Sequence, residues 1–469
     1  MAQLGSKIIN VLVQLGISMV MARLLTPMEY GTMAILQVFL SLFSILADAG
    51  ISTAVAQSQI LDESDYECLF FLSLLIGIAL AIGFFLLSLG IAWFYDNSDY
   101  MPLGTIMTFA VIFSALNMVP TGILIKKRKF KLIGMRLVVC TITVGLITVA
   151  LAYLGFGCYA IAINSVLMSV FLLTWNLVGT RLHMSMDGVH NVFRKVGSFS
   201  IYNLANQIIG WSAANSDSLI VGKLFGASAL GYYNKAYNLY SYPLSILAAP
   251  ITDTILPFLA PLQDNKPALC ERFQNVFMKI SFISALCTAG MNVCAAEIIL
   301  IMYGDNWAPA IPLLATLAFA VYSRGVNGAF SALLNATGKP DLLMRSTAIN
   351  TIITLGLIFL GGILGSMQSL ATCVSIAYNM EMILPIYFCA HYCLEISTWK
   401  FLANFFPDIV SILLIVVIGI LIPWKIENIF LSLAAKAIFV CLLLLSTRII
   451  LHRTTRIALK VLGRRRTNQ

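Results

Sequence analysis

Gly222-Lys223-Leu224-Phe225-Gly226-Ala227-Ser228-Ala229-Leu230-Gly231-Tyr232-Tyr233-Asn234-Lys235 is a Gly-rich corner between two apolar runs, and it carries cations where a bilayer-spanning segment normally tolerates none. Read two hundred residues earlier, the corner recurs as Ala22-Arg23-Leu24-Leu25-Thr26-Pro27-Met28-Glu29-Tyr30-Gly31. Without a gap, Arg23 falls on Lys223, Leu24 on Leu224 and Gly31 on Gly231. Further back, Leu4, Ile8, Ile9 and Ser18 match Leu204, Ile208, Ile209 and Ser218. Apolar sequence yields identities by chance, so the shared order of apolar run, cation, Gly or Pro corner and apolar run is the stronger evidence. Two copies of one helical unit point to a transporter, because many are built from repeats with the substrate between them.

Composition agrees. Of 469 residues, 60% are hydrophobic and 10% charged, with a mean hydropathy of +0.92. A soluble domain carries about 25% charged residues, and no water-soluble packing hides this much apolar surface. The chain is therefore expected to be an all-α polytopic membrane protein. Its ten cysteines lie almost all inside apolar runs, as small hydrophobes do, and do not form a disulfide framework. Cys389, His391 and Cys393 lack the further ligands a metal centre needs, so no metal and no cofactor is expected.

A span needs about 20 mostly apolar residues. Spans are read at 4–24, 29–50, 68–94, 102–125, 132–154, 157–180, 196–224, 227–259, 273–303, 308–336, 342–364, 367–394, 401–423 and 428–451. That gives about fourteen helices: residues 1–182 form an N-terminal lobe of spans one to six, 183–396 a second lobe of spans seven to twelve, and 397–469 two added spans with a basic tail. No loop is long enough for a soluble catalytic domain. Cytoplasmic loops carry an excess of Lys and Arg. With the N-terminus in the cytoplasm, Lys126-Lys127-Arg128-Lys129, Lys131, Arg181, Arg194, Lys195, Lys266, Arg272, Lys339, Lys400 and the tail from Arg448 to Arg466 all fall on that side. Both termini are then cytoplasmic. Taken literally, the repeat leaves the first helix about ten residues short, with no cleavable signal pattern to account for it. A start upstream of Met1 is the expectation.

Charges within spans usually face the bundle interior or a wet cavity. The cations are Arg23, Lys223, Lys235 and Arg324, with Arg136 and Arg345 nearer the cytoplasmic boundary; the acids are Asp48, Asp217, Asp253, Glu297 and Glu381. Arg23 and Lys223 can also be read as side chains snorkelling from helix ends. Arg324 lies at mid-depth, where either an ion pair with Asp217 or Asp253 or an anion-attracting cavity explains it. Tyr233, Tyr237 and Tyr240 share one helix face, as an interfacial belt or as a shelf for sugar rings. Asn203, Asn206, Gln207, Asn215 and Ser216 in span seven, and Gln3, Ser6, Asn10 and Gln14 in span one, add matching hydrogen-bonding groups.

The stretch from Ala22 to Gly31 resembles the first-helix signature of bacterial polysaccharide transporters. Asp217-Ser218-Leu219-Ile220-Val221-Gly222-Lys223-Leu224-Phe225-Gly226 and Leu230-Gly231-Tyr232-Tyr233-Asn234-Lys235-Ala236-Tyr237 resemble the family's second-half signature. These are Wzx-type lipid-linked oligosaccharide flippases, in one superfamily with the multidrug and toxin extruders. The resemblance implies two six-helix lobes in an inverted V plus two extra helices, in the bacterial inner membrane. It also implies that a polyprenyl-diphosphate-linked oligosaccharide moves from the cytoplasmic to the outer leaflet for O-antigen, capsule or exopolysaccharide assembly. Charge and depth in the spans, not the resemblance, make Arg23, Lys223, Lys235, Arg324, Tyr233, Tyr237, Asn206 and Gln207 the candidate substrate-binding residues, and Asp217, Asp253 and Glu381 the candidates for proton or sodium coupling. Membrane lipids and a polysaccharide polymerase are the expected partners, and nucleic acid is not. A multidrug or cation antiporter of the same superfamily is the rival, but it wants an acidic cavity. A membrane enzyme acting on the same lipid would need a large outer loop or paired carboxylates, so the chain is read as not an enzyme.

Overall fold

In the computed structural model the backbone is described for residues 2–48, 50–58, 61–180, 182–184, 189–402 and 405–466, and side chains for these apart from 2–4, 189–203, 205–206, 246–254, 256, 400 and 452–466. The described residues are almost wholly helical. In chain order the long helices are α1 (Ala2–Leu24), α2 (Pro27–Asp48), α3 (Glu63–Tyr95), α4 (Tyr100–Leu116, continued by Met118–Lys126), α5 (Phe130–Tyr153) and α6 (Cys158–Thr180). The helix Val189–Leu259 breaks at Gly226 into α7 (189–225) and α8 (227–259). Then come α9 (Lys266–Val293, continued by Ala295–Tyr303), α10 (Ala310–Ala336), α11 (Pro340–Ile363), α12 (Met367–Met380, continued by Ile383–Phe388), α13 (Phe406–Leu421) and α14 (Ile429–Arg466).

Among the described residues ten helices are long and apolar enough to cross a membrane, and Phe406–Leu421 is a shorter apolar one. With α7, α8 and the Arg324-bearing α10, the described residues hold the fourteen expected helices. The protein is an all-α multi-pass membrane protein.

Local chemistry sets the boundaries. Glu29 and Thr26 close a capping box at the start of α2: the Thr26 amide donates to Glu29 Oε2 at 2.7 Å, and the Glu29 amide donates to Thr26 Oγ1 at 3.3 Å. Pro27 follows as the first helical residue, where its missing N–H costs nothing. At the second corner Gly226 has φ 84° and ψ 175°, a region open essentially only to glycine. The two breaks, after Leu24 and at Gly226, fall at matching positions of the repeat.

Three spans differ from expectation. Helix α9 starts at Lys266 rather than near 273, because Asn265 accepts a hydrogen bond from the Ala268 amide at 3.2 Å and Pro267 sits in the first turn. Helix α13 is shorter than read, with its end fixed by Trp424 Nε1 donating to the Gly419 carbonyl at 2.9 Å. Helix α14 continues through the basic tail to Arg466, and Arg448 is not a free tail cation but part of a buried ion pair described below.

Two compact units comprise Met1–Gly231 and Tyr232–Gln469. In the first, α1 packs on α5, α3 on α4, and α4 on α6. In the second, α9 and α10 form the centre, with α12 against α10, and α13 and α14 against α9. Its core is an aromatic cluster of Phe273, Phe277, Phe330, Phe401 and Phe405, with the Phe277 and Phe405 rings 4.9 Å apart. Lipid tails are as apolar as these side chains, so close packing rather than escape from water holds this cluster together.

Candidate functional site

The repeated corners meet within the first unit. A Cβ added to Gly31 would lie 1.7 Å from the Ala227 carbonyl oxygen, and one added to Gly231 would lie 2.0 Å from the Pro27 carbonyl oxygen. Gly31 and Gly231 are repeat mates, and so are Pro27 and Ala227. Each corner therefore presses its glycine on the other's first helical carbonyl, in a reciprocal contact that no side chain could enter. Around it, Arg23 and Lys223 are exposed. Lys223 Nζ donates to the Phe94 carbonyl at 2.5 Å and stands 4.0 Å from the Phe94 ring centroid, at the end of α3. That is how a lysine at a helix end behaves. Asp217 is fully buried and accepts from the Ser218 amide at 2.7 Å, while Gln207 is half-buried. Arg136 in α5 is buried, and its Nε and Nη1 find no protein acceptor among the described residues.

The second unit brings most of the other candidates together. Tyr233, Tyr237 and Tyr240 share a helix face as their spacing requires, with neighbouring ring centroids 6.0 and 4.9 Å apart. Arg324, half-buried in α10, donates from Nη1 to the Tyr240 hydroxyl at 3.1 Å and lies 4.2 Å from the Tyr378 ring centroid. The Tyr237 and Tyr378 hydroxyls are 3.3 Å apart. A guanidinium is thus held against aromatic faces and hydroxyls contributed by α8, α10 and α12, an arrangement worth up to about 2 kcal/mol when desolvated. The described contacts of Arg324 are to Tyr240 and Tyr378. Lys235 is 3% exposed, with its ammonium 4.9 Å from the Tyr303 ring and 5.8 Å from the Trp307 ring.

Glu381 stands where α12 is interrupted between Met380 and Ile383. Its Oε1 accepts from Thr354 Oγ1 at 3.4 Å, and its backbone carbonyl accepts from Asn350 Nδ2 at 2.9 Å. Asn350 and Thr354 are four apart on α11, so one helix face serves the interruption. The side chains of Asn206 and Asp253 lie outside the described residues.

Sequence reasoning missed Tyr378, which completes the tyrosine cluster from α12, and two buried ion pairs. Asp408 at the start of α13 is fully buried; Arg448 Nε pairs with its Oδ1 at 3.2 Å and Ser281 donates to its Oδ2, with the Tyr322 hydroxyl 2.9 Å from Ser281 Oγ. Glu297 in α9 pairs with Lys436 in α14 at 2.6 Å and accepts from Ser432 at 2.7 Å. The first pair joins α13 to α14 and, through Ser281, to α9; the second joins α14 to α9. Their signal in the sequence was one acid at a span start and one lysine inside an apolar run.

A profile of polysaccharide biosynthesis proteins matches residues 20–312, which include both corners and the tyrosine face of α8. The chain belongs to that family. Among relatives, it is 23% identical over 356 residues to the lipopolysaccharide biosynthesis protein WzxC of Escherichia coli strain K12, covering 73% of this chain and 70% of that one. It is 22% identical over 356 residues to the succinoglycan biosynthesis transport protein ExoT of Rhizobium meliloti strain 1021, covering 74% and 70%. The fold is similar to that of the lipid II flippase MurJ in an inward closed conformation, with a TM-score of 0.74, 13% identity, and 97% and 98% of the two chains covered.

Proposed function

We infer that this family member is a flippase: it carries a polyprenyl-diphosphate-linked oligosaccharide from the cytoplasmic to the outer leaflet for surface polysaccharide assembly, and it is a transporter rather than an enzyme. The observation that carries the reading is a mid-span guanidinium set among tyrosines, on a chain of this family and fold. A diphosphate and its sugars cannot cross hydrocarbon unaided, since each unsatisfied polar group costs several kcal/mol. Arg324 offers charge and paired donors to a phosphate, and half-buried Tyr237 offers an aromatic face to a sugar ring, while Tyr378 backs the guanidinium. Tyr240 holds the guanidinium in place. Lys235, sealed beside Tyr303 and Trp307, and buried Tyr233 back this face of α8. Arg23 and Lys223 meet phosphate at the far helix ends, with Asn206 and Gln207 as polar lining. The two lobes are residues 1–182 and 183–396, with 397–469 added, and both termini face the cytoplasm. The distribution of Lys and Arg supports that orientation.

Glu381, beside Thr354 and the interrupted helix, is the first coupling candidate, and Asp217 and Asp253 are the alternatives; a proton or sodium ion taken up there resets the cycle. A polysaccharide polymerase receives the product. Complementation tests the reading: the gene is introduced into a strain lacking its surface-polysaccharide flippase, alongside Arg324→Ala. Restored surface glycan with the parent and its loss with the variant at equal protein level support the assignment, and full activity of the variant removes Arg324 from the site.

A further inference from the structure

A groove of about 880 Å³ runs between α9 and α14. Its walls include Phe282, Ile283 and Leu445, and Asn275, Lys279 and Arg448 stand along it. Its depth can be counted along both helices. Gly304 ends α9 and Asn428 precedes α14, and about 20 residues at 1.5 Å each cross the hydrocarbon core of about 30 Å. The count from Asn428 reaches Arg448, and the count from Gly304 falls just short of Lys279. Arg448 Nη2 donates to the Met278 carbonyl at 2.8 Å, so the two helices are locked at one height here. Arg448 and Lys279 therefore stand where hydrocarbon gives way to headgroups, on the side that collects the chain's basic loops.

The two cations are not equivalent. Arg448 is neutralised by Asp408 behind it. Lys279 is exposed and has no ion pair or hydrogen bond among the described residues. The groove thus has an apolar body, a net positive mouth and an amide donor in Asn275. Apolar walls beneath a basic mouth, open to lipid at leaflet height, match an acyl chain below a phosphate.

We propose that this groove binds an anionic phospholipid of the cytoplasmic leaflet, with its phosphate on Lys279 and Asn275 and an acyl chain along Phe282, Ile283 and Leu445. Basic pockets between transmembrane helices on this side of a bilayer recognise such head groups. The proposal needs only the membrane fold and its orientation, not the identity of the transported substrate, so it stands or falls apart from the flippase reading.

The test uses the full purified chain in detergent, titrated with phosphatidylglycerol or with phosphatidylcholine of the same acyl chains, and bound lipid is counted by native mass spectrometry. Phosphatidylglycerol should bind more tightly, and Lys279→Gln should weaken it about fivefold, the contribution of one lysine at an anionic surface, while leaving phosphatidylcholine unchanged. Leu445→Trp, which fills the groove, should weaken both lipids. Both substitutions are at exposed positions, and equal melting temperatures confirm the fold. Equal binding of the two lipids, or an unchanged Lys279→Gln, overturns the proposal. Displacement of bound phosphatidylglycerol by an equal concentration of polyprenyl diphosphate also overturns it, by making the groove a substrate site.

Discussion

Replacing Gly231 by alanine tests the reciprocal corner. Its new Cβ would sit 2.0 Å from the Pro27 carbonyl oxygen, against 3.4 Å for ordinary contact, so the two helix starts must separate by about 1.4 Å. The atoms it would meet are the Pro27 backbone, held by the Thr26–Glu29 capping box, and cannot swing aside as a side chain would. Overpacking of this kind costs about 1–3 kcal/mol. Gly31→Ala meets the Ala227 carbonyl at 1.7 Å and should cost as much or more. Because both substitutions open one contact, their costs should add to less than the sum in the double variant. Gly16→Ala is the control: nothing lies within 4 Å of its added Cβ, and alanine in a helix interior gains about 0.5–1 kcal/mol over glycine. Thermal unfolding of the purified protein in detergent reads all four. The expected order is Gly16→Ala at or above the parent, the two corner variants below it, and the double variant little lower than the worse single. Corner variants that melt with the parent, or costs that add in full, would refute the contact.

The remaining predictions concern the charged clusters. Asp408→Ala leaves the Arg448 guanidinium buried beside Phe282 and should destabilise by about 3–5 kcal/mol, while Asp408→Ala combined with Arg448→Met should recover much of that loss in the same melting assay. Tyr240→Phe removes one hydrogen bond to Arg324 and should lower transport by about tenfold, a bond to a charged group contributing about 1.5–3 kcal/mol. Tyr378→Ala, which removes both the ring under the guanidinium and the Tyr237 partner, should lower it further. Glu381→Gln should leave the fold intact and make transport in vesicles insensitive to an imposed proton or sodium gradient. A gradient response equal to the parent's would exclude Glu381 from coupling.

Much of the fold was legible because the bilayer leaves few options: backbone polar groups in hydrocarbon must be satisfied within the segment, so each apolar run of about 20 residues becomes a helix. The break between α7 and α8 was legible too, since Gly226 falls at the repeat mate of Thr26, where the first corner turns. The tyrosine face of α8 followed from spacing alone. What packs against that face did not. Tyr378 lies 141 residues from Tyr237 in the chain, and periodicity says which side of a helix is special without saying what meets it. Lys235 was read as a charge facing a wet chamber, and the structure seals it beneath Tyr303 and Trp307, two aromatic residues at the end of α9 and the turn after it. Arg448 was counted with the cytoplasmic tail because tail and span share one continuous helix. Its partner Asp408 opens a different span, and no pattern along the chain connects the two.

The central claim is that Arg324 and its tyrosines carry the head group of a polyprenyl-diphosphate-linked oligosaccharide across the bilayer. The direct measurement is flipping of that lipid in proteoliposomes, read as its appearance at the far leaflet to an impermeant label, for the parent and for Arg324→Ala. The account predicts protein-dependent flipping by the parent and a fall of at least about tenfold in the variant, the loss of one charge-assisted contact of about 1.5–3 kcal/mol, at an unchanged melting temperature. Equal flipping by both proteins, or none by the parent, would contradict it.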